Sequence, residues 1–126
     1  MTEKQIKIPS QEHPIKIEPT TDRVIVTAAG KTIADSRRTL TLREAAYPPV
    51  FYIPREDVEI AALQRSEHTT YCPYKGDCNY FSITGSGAQG ENAVWTYETP
   101  YEAAAEIKGY LAFYKNRVDS IDVQSA

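Results

Sequence analysis

The apolar residues of this chain come in short runs, and proline, glycine or a polar turn stops each run within a few residues. A core made from such pieces has to be assembled from many short strands. Ile15-Lys16-Ile17 alternates and stops at Pro19, the pattern of an edge strand. Val24-Ile25-Val26 and Thr32-Ile33-Ala34 flank Ala28-Ala29-Gly30-Lys31, which predicts a hairpin with Gly30 at positive φ. Thr39 to Leu42 alternates again. Pro48-Pro49 leads rigidly into Val50-Phe51-Tyr52-Ile53, a central-strand composition closed by Pro54. Val58 to Leu63 fits either a short strand or one helical turn. Further strands are expected over 79–84, 93–97, 110–114 (with a helix prolonged through it as the alternative) and 121–123, with a turn at Lys75-Gly76-Asp77 and a flexible loop over 85–90.

One segment carries helix signals. Thr99 can cap, Pro100 suits the first helical position, Glu102 completes a capping box, and Gly109 is a natural stop. The expected fold is therefore mainly β: a single antiparallel domain with one short helix near 100–108. Residues 1–21 read as an N-terminal arm, 22–120 as the domain and 121–126 as a polar tail. The arm is expected either to fold back on the domain or to exchange with a second copy in a homodimer.

The totals narrow the class of function. With 126 residues the chain fits one domain with its own core. A net charge of -3, without any basic block, argues against nucleic acid and against an anionic membrane surface. No apolar run approaches a membrane span, and the first residues lack the apolar centre of a signal peptide, so the cytoplasm is the expected compartment. Two cysteines make no disulfide framework there.

Chemistry-bearing side chains are densest from Ser66 to Ser82, which holds both cysteines, His68 and Tyr71, Tyr74 and Tyr80. His68, Cys72 and Cys78 are soft or borderline ligands, but a structural zinc site needs four, usually in two close pairs, so no metal site is assigned. Cys72 with His68 four residues earlier is a candidate thiolate pair, provided a turn closes the gap between two strand positions. Arg37, Arg55 and Lys75 lie at strand ends and turns, where they can hold a carboxylate or phosphate or else pair with nearby acids. His68, among threonine and tyrosine hydroxyls, is the best acid–base candidate. Tyr52, Tyr71, Tyr74 and Trp95 complete an aromatic wall for a planar ligand.

Ala34-Asp35-Ser36-Arg37-Arg38, Tyr47-Pro48-Pro49-Val50-Phe51-Tyr52-Ile53-Pro54-Arg55-Glu56-Asp57-Val58, His68-Thr69-Thr70-Tyr71-Cys72-Pro73-Tyr74-Lys75-Gly76-Asp77, Ala93-Val94-Trp95-Thr96-Tyr97 and Gly109-Tyr110-Leu111-Ala112-Phe113-Tyr114 follow one another in this order. Together with Arg117-Val118 they resemble the domain of unknown function 427 family, which also carries a nucleotidyltransferase-like label, over roughly residues 22–120. The resemblance implies an Mss4-like, or β-tent, architecture of two small antiparallel sheets meeting at an angle. Relatives of that architecture often hold zinc on two C-x-x-C knuckles, and this chain has neither. The leading expectation is a small anionic or nucleotide-like ligand held in one cleft, with acid–base chemistry at His68 and no cofactor named by any motif. A non-catalytic protein-interaction module is the alternative. Magnesium-dependent nucleotidyl transfer is a second one, and it requires two carboxylates within reach of one ion.

Overall fold

The computed structural model describes residues 5–125; residues 1–4 of the expected arm and residue 126 of the expected tail lie outside the described residues. In chain order the strands are β1 (Ile15–Pro19), β2 (Arg23–Ala28), β3 (Lys31–Ser36), β4 (Leu40–Glu44), β5 (Val50–Tyr52), β6 (Leu63–Cys72), β7 (Gly76–Ile83), β8 (Val94–Thr96), β9 (Leu111–Phe113) and β10 (Ser120–Gln124). Among the described residues they form three antiparallel sheets, in the orders β1-β4-β5, β10-β2-β3 and β6-β7-β8-β9. The domain is mainly β, as its short apolar runs require. The hairpin of β2 and β3 turns on Ala29 and Gly30, at φ 52° and 73°, the two-residue turn whose twist matches its strands.

Three sheets stand where two are expected, because β5 is too short to pair with a second full strand. It instead hands over to β9 through one residue: the amides of Ile53 and Leu111 each donate to the other's carbonyl at 2.8 Å. That seam joins the first sheet edge to edge with the four-stranded one.

The period-two alternation of the four-stranded sheet then serves two cores. Phe81, Ile83, Val94, Leu111 and Phe113 face a core shared with Val24, Val26, Ile33 and Ala34 of the β2–β3 hairpin. Cys78, Tyr80 and Ala112 face a second core with Leu42, Tyr52, Tyr97 and Ile107. The strand reading of Asn79 to Thr84 holds this division in its simplest form, with Phe81 and Ile83 on one side and Tyr80 on the other.

The segment expected to be a helix folds as 3-10 turns over Glu102–Ile107, broken at Ala104. Thr99 does not cap it; Tyr101 takes the position before the first turn, without a side-chain cap. The cause lies across the domain, in Gly76. Its φ of 109° and bare Cα let the segment 99–101 pass so close that a Cβ would lie 3.4 Å from the Thr99 carbonyl oxygen. The Tyr101 amide is thereby committed to the Lys75 carbonyl at 2.9 Å, and the capping box never closes. The reversal between β6 and β7 accordingly sits at 73–75, with Gly76 already opening β7.

Candidate functional site

The site is built by an irregularity in β6. Arg65 faces Phe81 and Thr69 faces Asn79, so three residues of β6, Ser66 to His68, stand opposite Tyr80 alone. The strand has to bulge there, and a bulge re-aims the side chains it carries. The Ser66 hydroxyl accepts the His68 amide at 3.1 Å, and it donates to the Asn92 side-chain oxygen. Asn92, at φ 53°, takes the left-handed conformation that asparagine tolerates better than most residues, and its amide bonds the Ser82 hydroxyl at 3.0 Å. The outcome is that the exposed His68 imidazole lies over Tyr80, ring centres 4.6 Å apart.

His68 and Tyr80 form one wall of an open cleft of about 520 Å³. Glu91 and Asn92 line it from the loop before β8. Tyr114, Asn116 and Arg117 line it from the turn after β9. That turn is forced locally, because buried Val118 must return to the core and the Asp119 amide must reach the Thr27 carbonyl to start β10. Only one 3-10 turn fits between, and it leaves Asn116 and Arg117 exposed. Among the described residues the Arg117 guanidinium donates once, to the Ala88 carbonyl at 3.3 Å, of the five N–H donors a guanidinium carries. Burial pushes the Tyr80 phenol well above its ordinary pKa, so it stays protonated and shares a hydrogen bond with the Thr70 hydroxyl at 2.9 Å.

The other expected site residues lie elsewhere. Lys75 is drawn into the fold: its Nζ donates to Glu44 Oε1 at 2.6 Å, and both side chains are nearly buried. His13, on the arm, bonds the other Glu44 oxygen at 2.8 Å and stacks flat on Tyr74 with ring centres 4.0 Å apart. Burial raises the Glu44 carboxyl, but the hydrogen bonds from Lys75 and His13 more than offset it, and its pKa falls below the ordinary value. Residues 5–14 run back over this cluster: the Lys7 amide bonds the Pro73 carbonyl, and the Tyr71 hydroxyl bonds the Gln5 carbonyl.

Arg55 donates to the Gly109 carbonyl at 3.3 Å and lies 3.8 Å from Glu98, a carboxylate that Arg65 holds at 2.7 Å. Arg37 is exposed at the bend after β3. Tyr52 and Trp95 do meet: the indole N–H donates to the buried Tyr52 hydroxyl at 3.1 Å. Cys72 pairs with Gly76 across the hairpin and packs on the second core, while the His68 ring lies over Tyr80. Both cysteines are free thiols, and burial raises the pKa of Cys78.

Of the site residues expected from sequence, the cleft thus holds His68. Glu91, Asn92, Asn116 and Arg117 were not singled out as site residues. The signal for them is weak: polar residues just after a glycine loop, and a basic turn after an aromatic strand, are ordinary surface patterns. Asp57 is held by Arg38 at 2.9 Å and by the Ser36 hydroxyl at 2.6 Å. Among the described residues no three His, Cys, Asp or Glu side chains gather as a metal-binding set. Among the described residues no helix is long and apolar enough to cross a membrane.

Comparison with known proteins adds one result. No curated protein matches the chain. A family model described as a domain of unknown function (DUF427) matches residues 16–124, a span that takes in β1 and β10 beyond the region carrying the resemblance. With nearly every strand inside the match, the chain belongs to the DUF427 family.

Proposed function

We propose that the protein binds a small anionic ligand carrying a planar group in the His68 cleft, with His68 placed to exchange a proton with it. One observation carries this reading: the β6 bulge turns an exposed imidazole over Tyr80 in the cleft that Arg117 also lines. Arg117 takes the anionic group, as a guanidinium with free donors does for carboxylate or phosphate. Tyr114 offers a ring face to the planar part, and the nearly buried Tyr80 backs the His68 ring. Glu91 and the two asparagines can bond hydroxyl or amino groups between them, which suits a nucleotide-like ligand. Arg55 and Lys75, the cations first expected at the site, serve the fold through Glu98 and Glu44.

The test is a thermal-shift panel of inorganic phosphate, nucleoside mono- and triphosphates, sugar phosphates and small di-acids. A ligand at a hundred times its dissociation constant adds about 2.7 kcal/mol to stability. The expected result is a hit that disappears in both His68→Ala and Arg117→Ala and survives in Arg37→Ala. A panel without a hit on folded protein, or a hit that both cleft variants keep, would overturn the assignment.

A further inference from the structure

A second cavity, of about 550 Å³, opens where β2 and β10 approach β5 and β9. Its floor is core: Val24, Val26 and Ile53 are almost fully buried. Its sides are Pro48 to Phe51 on one hand and Ile121 and Val123 on the other, with Trp95 and Tyr114 closing one end. The lining is short of hydrogen-bond donors. Pro48 and Pro49 have no amide N–H, and the Trp95 indole N–H is already spent on Tyr52. Trp95 therefore presents ring surface, and Tyr114 lies beside it with ring centres 4.4 Å apart. The lining holds no carboxylate and one charged side chain, the exposed Lys115.

We propose that this groove is a binding site for a small apolar carboxylate, whose hydrocarbon part lies on Trp95, Val50, Phe51 and Ile121 and whose carboxylate meets Lys115. The volume is that of a small-molecule site, and the lining has the mix such sites have, mostly apolar with a single polar anchor. The anchor's charge selects the ligand's charge: an ammonium at the mouth of an acid-free apolar groove favours an anion and gives a neutral or cationic head nothing to pair with. The inference is independent of the His68 cleft, with which the groove shares Tyr114 alone.

Trp95 is the sole tryptophan of the chain and lines this groove, so its emission reads the site, and Arg117→Ala separates that signal from one passed through the shared Tyr114. The experiment titrates purified protein with decanoate and, separately, with uncharged decanamide, in wild type, Lys115→Gln and Arg117→Ala. Decanoate is expected to change Trp95 emission saturably below about 1 mM, and decanamide to bind about tenfold more weakly. Lys115→Gln, an exposed substitution that leaves the fold intact, should remove that difference, and Arg117→Ala should leave it. A response to neither compound, equal affinity for both in wild type, or loss of the decanoate response in Arg117→Ala would each overturn the proposal. So would an emission change that follows protein concentration together with dimerisation in sedimentation, since the occupant would then be a second copy.

Discussion

Replacing Glu44 with alanine is expected to lower folding stability by about 3–5 kcal/mol, the cost of leaving a buried cation without its partner. Lys75 and Glu44 expose only 13% and 12% of their side chains, and Nζ sits 2.6 Å from the carboxylate. Alanine would strand the ammonium, release His13 from its 2.8 Å contact and loosen the arm stacked on Tyr74. A domain with about 5–15 kcal/mol of total stability has little to spare against such a loss. Glu44→Gln, which keeps a hydrogen-bond acceptor, should cost less. The pH dependence carries the signature. The folded pKa of Glu44 lies below its ordinary 4.5, so its contribution is complete above that value and is lost as the pH falls through the folded pKa. Urea denaturation of wild type and Glu44→Ala should therefore give the widest gap near neutrality and a narrowing one below pH 4.5. A gap that stays constant into acid would show that the carboxylate's charge is not its source.

Leu111→Ala is expected to cost about 2–5 kcal/mol, the range for truncating a fully buried leucine. Leu111 is the joint of the molecule. It is completely buried, pairs with Thr96 inside its own sheet, and exchanges two backbone hydrogen bonds with Ile53 across the seam. Alanine keeps those bonds and removes only the packing beneath them, so the loss measures how far the seam depends on the core. Ile60→Ala is the control, because Ile60 is exposed on a 3-10 turn and its truncation should fall within about 0.5 kcal/mol. Equal costs for the two substitutions, read by denaturant unfolding, would mean that the sheets are joined elsewhere.

The strands were legible because their signals are local. Alternation at Val24–Val26, the Ala29-Gly30 turn, and the proline that ends Val50–Ile53 are set by neighbours in sequence. The short helix expected near 100–108 is present as 3-10 turns over Glu102–Ile107, but its Thr99 capping box is a local preference that a contact 25 residues away at Gly76 overrides. The site divides in the same way. His68 stood out by composition, in a stretch rich in hydroxyls. What makes it a cleft residue is the unequal spacing between two paired strands, and no single strand shows that. Arg55 and Lys75 looked like ligand-holding cations because the sequence does not reveal that Glu98 and Glu44 fold against them. Arg117 looked like an ordinary turn residue because its exposure follows from Val118 and Asp119 returning to the core and to β10.

Whether His68 is a ligand-contacting imidazole can be tested directly, because the two histidines of the chain provide an internal control. Histidine ring signals, assigned by His13→Gln and His68→Gln, would be followed by NMR while the best hit from the phosphate and nucleotide panel is titrated. The His68 signal is expected to move saturably, and the His13 signal, from a ring held between Glu44 and Tyr74, to stay in place. A His68 signal that stays fixed while the ligand saturates the protein would contradict that contact.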